Sequence, residues 1–257
     1  MKRVVIISDL HSGHVVGLTH PSFDVKHDQP TIIEQARAEY WQWFASRIDA
    51  LRPIHVLIVN GDCIEGKGEK SGGTELIETD RNEQVKMAAA AIKFIGAEKV
   101  YMSYGTPYHT GASEDFEDSV AQQVEAVKIG SHDWLDVNGL VFDYRHFISG
   151  SQIPHGRFTA LASDRLWNLL WNEHGEYPKS DVIIRSHVHY YSHCDGVGWD
   201  AFITPALQGS GSKYGARKMK GTVDFGFLSF DVEDKTRWSY KKHILKRSRS
   251  AAVVMKA

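Results

Sequence analysis

Val4 to Ile7 form an unbroken β-branched run that ends at Ser8 and gives way to Asp9, Leu10 and His11. A run that is apolar at every position, rather than at alternate ones, belongs to a strand buried on both faces, as in a parallel sheet covered by helices. Ligand sites in open α/β sheets lie beyond the carboxyl ends of the strands, and residues two apart on extended backbone point the same way. Asp9 and His11 can therefore face one ion. Taken alone, such a pair is more often a helix cap or a turn with a hydrogen-bonded His.

The same pattern recurs along the chain. His55 to Asn60 (HVLIVN) runs into Gly61 and Asp62, and Lys99 to Tyr104 runs into Gly105, Thr106, Pro107, Tyr108 and His109. Trp134–Val137 and Leu140–Arg145, joined by Asn138-Gly139, read as a hairpin with a type I′ turn that ends at His146. Asp181 to Arg185 (DVIIR) leads to Ser186, His187, Val188 and His189.

Helical spacing fills the intervals. Thr31 can cap a helix carrying Ile32, Ile33, Ala36, Tyr40, Trp43, Phe44 and Ile48, and a long helix is expected from about Thr74 to Ile95. Glu114, Asp115, Glu117 and Asp118 open another, where carboxylates favour the positive end of the dipole and are expected to be solvated. A further helix carries Leu161, Leu166, Leu169, Leu170 and Trp171, and strands near Phe227–Val232 and Arg237–Ile244 complete an antiparallel portion. The loop after His11 holds His14, His20 and His27, readable as the rim of a substrate site or as solvated histidines.

Composition narrows the class. With 257 residues, 42% hydrophobic and 24% charged, the chain suits a single α/β domain over 1–257. Thirty basic against thirty-two acidic residues create no global field for nucleic acid or an anionic membrane. Any such partner must meet a local patch, for which Lys67, Lys70, Arg157, Lys213, Arg217, Lys218 and Lys220, near Tyr214 and Trp199, are candidates. The same residues fit ordinary solvated loops. Cys63 and Cys194 belong to no disulfide or zinc pattern, no secretory signal opens the chain, and no apolar run approaches the ~18 residues of a membrane span, so the expected setting is the cytoplasm, with no membrane partner. The KRSRS stretch after Leu245 is expected to fray.

Collected in order, the strand ends supply D-x-H, G-D, a glycine-led turn with a His, a lone His and H-x-H. Imidazoles mixed with carboxylates suit first-row divalent ions, manganese foremost and iron, zinc or nickel as alternatives, better than calcium or magnesium. Six strong ligands can serve two ions if one carboxylate bridges, and Asp62 on its glycine turn is the natural bridge. Two cations ~3.5–4 Å apart that share a hydroxide are suited to in-line attack at phosphorus.

These motifs, spaced from Asp9 to His189, resemble the calcineurin-like metallophosphoesterases. The resemblance implies a four-layer αββα sandwich, with mixed sheets and helices on the outer faces, around a dinuclear centre. Asp9, His11 and His189 would hold the first ion, His146 and His187 the second, and Asp62 would bridge. The third motif departs from the family's G-N-H-[DE]: Gly105 is followed by Thr106, and the nearest histidine is His109. The Thr106 hydroxyl, His109 or a water then fills the place of the family's Asn, and GTPYHTG resembles variants of phage and prophage members. The implied activity is hydrolysis of a phosphate ester, foremost a phosphodiester, with His109 protonating the leaving oxygen. A DNA or RNA nuclease, a small-molecule phosphomonoesterase and a non-catalytic metal-binding scaffold are the alternatives, and no residue is singled out for substrate contact or oligomerisation.

Overall fold

The computed structural model describes residues 1–24, 30–111, 114–151, 153–211 and 223–246. His27, Lys213, Tyr214, Arg217, Lys218, Lys220 and the tail beyond Lys246 lie outside the described residues.

Two sheets stack face to face. The first joins β1 (Lys2–Ile7), β2 (Ile54–Asn60), β3 (Ala97–Ser103) and β4 (Lys128–Gly130) in parallel, and β10 (Gly226–Val232) and β11 (Trp238–Ile244) extend it antiparallel in the order β11-β10-β1-β2-β3-β4. The second runs β5-β6-β7-β9-β8 from β5 (Asp133–Val137), β6 (Leu140–Tyr144), β7 (Val182–Arg185), β8 (Ser192–Gly196) and β9 (Trp199–Ile203).

The continuous apolar runs divide by period two between separate cores. Val4, Ile6, Val56 and Ile58 point between the sheets and meet Phe142, Tyr144, Val182, Ile184 and Phe202 of the second sheet. Val5, Ile7, Leu57 and Val59 point the other way, against α1 (Ile32–Asp49), α2 (Arg81–Ile95) and α4 (Phe116–Gln123). On the far side Ile183, Ala201 and Ile203 pack against Leu161 of α5 (Arg157–Glu173). The layers are therefore helix, sheet, sheet, helix, as the resemblance implied.

Local chemistry sets the boundaries. Thr31 and Glu34 form a reciprocal capping box that starts α1, although Ile32 is exposed rather than part of the buried stripe. Asn138 and Gly139 both have positive φ, as the type I′ hairpin requires. The expected start of α2 at Thr74 is wrong by seven residues. The 75–77 segment pairs instead with the loop after β1, Val15 N–H to the Glu75 carbonyl at 2.9 Å and Ile77 N–H to that of Gly13 at 2.8 Å, and Asp80 caps the helix by accepting the Asn82 N–H. β4 and the β8–β9 hairpin were not legible in the sequence, because β4 spans three residues and SHCDG lacks apolar alternation.

Candidate metal centre

All the polar strand ends meet at one place. β1, β2 and β3 of the first sheet and β6 and β7 of the second deliver Asp9, His11, Asp62, His109, His146, His187 and His189 to the carboxyl edge of the sandwich, with His109 on the short helix α3 (Pro107–Thr110). A ladder of buried hydroxyls and an amide ties the sheets together beneath it. Ser8 Oγ and Ser186 Oγ each lie 2.7 Å from Thr204 Oγ1, Asn60 Nδ2 donates to Ser186 Oγ at 2.6 Å, and Ser103 Oγ donates to Asn60 Oδ1 at 2.7 Å.

The backbone is bent to aim these side chains. Asp9, His11, Asp62, His187 and His189 all adopt positive φ, between 46° and 75°, a region that L-residues seldom occupy and Asp and His enter more readily than most. Two glycines make room for the approach. A Cβ on Gly105 would lie 2.2 Å from Asp62 Oδ1, and one on Gly61 would lie 2.6 Å from His146 Nδ1.

The side chains form three groups whose donor atoms lie within 4.8 Å of one another: Asp9 with His11 and His189, Asp62 with His146 and His187, and Asp62 with His11 and His109. His11 Nε2 is 3.2 Å from His189 Nε2, and Asp9 Oδ1 is 3.2 Å from His189 Nε2 and 3.9 Å from both His11 Nε2 and His146 Nε2. His146 Nε2 stands 3.0 Å from Asp62 Oδ2. A fourth group, His193, Asp195 and Asp200, sits on the more open β8–β9 hairpin, where acidic groups commonly occur without an ion.

Supporting groups fix the tautomers. His146 Nδ1 donates to the Asn60 carbonyl at 2.7 Å and His11 Nδ1 donates to Glu65 Oε2 at 2.8 Å, so either ring, when it carries a single proton, turns its Nε2 lone pair inward. Those lone pairs face carboxylate oxygens. Asp9 Oδ1, His146 Nε2 and His187 Nδ1 are buried without a hydrogen-bond partner. Acceptors turned toward one another in a buried cradle repel unless positive charge lies between them, so the donor set fits divalent cations.

The electrostatics carry the same demand. Burial alone would raise the Asp9 carboxyl, but His189 and His146 bring it down to about 2, and His146 holds Asp62 well below the usual carboxylate range against its burial. Burial opposes charge on His146, yet Asp62, Asp9 and the Asn60 carbonyl push it up to about 10, so the carboxylates draw onto this imidazole a proton that a bound cation would displace. His11, with its burial and with His109 and His189 beside it, is held well below the usual imidazole range.

Glu117 and His14 differ from the sequence reading, and Thr106 gains a partner it did not name. Glu117, expected in solvent, is fully buried and accepts the backbone N–H groups of Cys63 at 2.8 Å and Gly105 at 2.6 Å, and burial and Asp62 push its carboxyl up to about 7. Thr106 turns its N–H (2.7 Å) and hydroxyl (3.1 Å) onto Asp62 Oδ1. His14 is neither rim nor solvated: it is buried and its Nδ1 accepts the Val16 N–H. His20 is partly exposed and caps the turn Pro21–Phe23. Glu65, Asn60 and Glu117 went unread as supporting groups, and only Glu65, three residues past Asp62, carried a positional hint.

A mixed α/β sandwich with this layering is the metallophosphoesterase fold. Vps29 from Entamoeba histolytica, crystallised with Zn2+, is similar over 96% of this chain and 94% of its own, with 14% identity and a TM-score of 0.50. An archaeal phosphodiesterase is similar over 95% of this chain and 99% of its own, with 11% identity and a TM-score of 0.48. No protein-family profile and no curated protein matches the chain in sequence. Among the described residues, no helix is long and apolar enough to cross a membrane.

Proposed function

We propose that this centre holds two divalent transition-metal ions, manganese foremost, and hydrolyses a phosphate ester, foremost a phosphodiester. The observation that carries the reading is the pair of buried His and Asp groups whose Nε2 atoms and carboxylate oxygens crowd one another at 3.0–3.9 Å. Asp9, His11 and His189 would hold one ion and His146 and His187 the other. Asp62, which belongs to groups on both sides, would be shared. Bound ions of this kind offset phosphate charge and lower the pKa of water.

The chain's own residues supply the rest. Glu65 and Asn60 hold His11 and His146 in the ligating tautomer. His109, with Nδ1–H held by the Glu65 carbonyl, has Nε2 left to face the leaving oxygen, to which the doubly protonated ring would give its Nε2 proton and become neutral. Beside it opens a cleft lined by Lys67, Arg81, Tyr108 and Glu114, suited to the leaving group. A nuclease or a phosphomonoesterase on the same centre and a phage-type origin stay within this reading, and the free Cys63 and Cys194 fit a reducing cytoplasm. One observation favours a metal-binding scaffold instead: Thr106 stands where the family that the chain resembles has an Asn, and its hydroxyl donates to Asp62.

The deciding experiment incubates manganese-loaded protein with a chromogenic phosphodiester, the matching monoester, and single- and double-stranded DNA, with His187→Ala alongside. Chelator-sensitive diester hydrolysis that His187→Ala loses supports the proposal. A protein that holds two ions and hydrolyses none of the four is the scaffold.

A further inference from the structure

Helix α5 turns its apolar side outward. Its buried positions are Leu161, Arg165 and Asn168, two of them polar: Arg165 donates to the Ser180 carbonyl at 2.7 Å, and Asn168 Nδ2 donates to that of Pro178 at 2.9 Å. Leu166, Trp167, Leu169, Leu170 and Trp171 are instead 41–57% exposed. Phe158 extends the patch at one end, and the Tyr177 ring, 5.9 Å from that of Trp171, extends it at the other. Taking aromatic side chains at about 150–250 Å² each, the exposed fractions amount to on the order of 600 Å², at the top of what a monomer ordinarily leaves bare. With a polar rim this approaches the ~800 Å² that each partner contributes to a standard interface.

We infer that this face joins two copies of the chain about a two-fold axis, α5 against α5. A two-fold contact presents the same strip to itself, with only the residues at the axis beside their own copies, so a strip of one charge would repel itself. The outward positions from Phe158 to Asn172 carry only Asp164, which already accepts hydrogen bonds from Arg145 and Arg185. The strip is also self-complementary in shape. Its first half presents Thr159, Ala162 and Ser163, and its second half Leu166, Trp167 and Leu170. Antiparallel packing lays the small half of one helix under the bulky half of the other, with the axis beside Leu166. A membrane surface fits less well, because interfacial helices flank their apolar face with Lys and Arg, whereas in α5 Arg157 stacks on Tyr190, Arg165 is buried on the Ser180 carbonyl, and the helix ends in Glu173.

Sedimentation equilibrium of the full chain across the micromolar range tests this, with an expected mass of twice 28.9 kDa. Leu166→Glu/Leu170→Glu should raise the dissociation constant at least about 100-fold and leave metal content unchanged, and also the melting temperature measured where both proteins are monomeric, since both positions face solvent within one chain. Ile32→Glu, exposed on the opposite helical layer, should change nothing. In a Cys194→Ser background, Leu166→Cys should cross-link to its own copy on mild oxidation. A monomer at every concentration, a dimer indifferent to the α5 substitutions, or a monomer that floats with anionic vesicles overturns the inference. A dimer that fails to cross-link overturns the antiparallel pairing.

Discussion

His109 donates its Nδ1 hydrogen to the backbone carbonyl of Glu65, 2.9 Å away. That bond holds the ring on its turn and leaves Nε2 as the one nitrogen able to act, either on a leaving oxygen or on an ion. As the acid, His109→Ala keeps both metals yet slows turnover by roughly 10²- to 10⁴-fold for a poor leaving group, and far less for one that needs no proton. Metal stoichiometry and leaving-group dependence, measured on the one variant, separate this from a ligand role, in which occupancy falls.

Asp62 shares a donor group with His11 on one side and with His146 and His187 on the other. Asp62→Asn should therefore reduce both metal occupancies and abolish activity more completely than His146→Ala. Asp9 Oδ1, within 3.9 Å of three imidazoles, is the competing bridge. Elemental analysis of Asp9→Asn beside Asp62→Asn decides between them, since loss of both ions from the Asp9 variant alone would reassign the bridge.

Glu117 pins the loop carrying Asp62 to the loop carrying Thr106 through the Cys63 and Gly105 N–H groups. Removing the carboxylate leaves two buried donors unsatisfied, at about 1–3 kcal/mol each. Glu117→Ala should lower the melting temperature and weaken metal binding together, and Glu117→Gln should recover part of both. Calorimetric metal titration of a Glu117→Ala protein that binds normally would reduce the residue to a packing role.

His243 offers a pH test away from the centre. Burial first, then Lys241 and Arg47, pull its imidazole down to about 4 from an ordinary 6.5. Its Nε2 pairs with Ser229 Oγ at 2.9 Å, and its ring stacks on Phe227. Between those two values the unfolded chain takes up a proton that the native ring resists. Stability is thus complete above pH 6.5 and declines as pH falls toward 4, by roughly 1–2 kcal/mol after allowance for solvent screening at the edge strand that carries the ring. His243→Phe should shed this component, so the difference in melting temperature between variant and wild type should drift over that window and stay level above it.

The strands and their polar ends were legible because one physical rule covers both: a run such as Val4–Ile7 must serve two cores at once, and the chain turns polar where the cores end. Tertiary facts were not. Glu117 has the local look of a first-turn carboxylate in solvent, and only the arrival of Cys63 and Gly105 from two other strand ends makes it an internal clamp. The Thr74 helix start failed because pairing with the loop after β1 competes with helix propensity there. The leucine and tryptophan stripe of α5 has a core-like period, yet periodicity cannot tell which side of a helix the rest of the molecule covers.

Among the described residues, seven non-glycine positions have left-handed backbone, and five of them are Asp9, His11, Asp62, His187 and His189. Each such conformation costs of order 1 kcal/mol, so the fold carries a standing handicap concentrated where the chemistry is proposed. Glycine would relieve it, and a lineage released from the need for the centre would gain stability by drifting to glycine at these five places. A glycine at any one of them should therefore relax the backbone while deleting a candidate ligand, so that stability and metal affinity move in opposite directions.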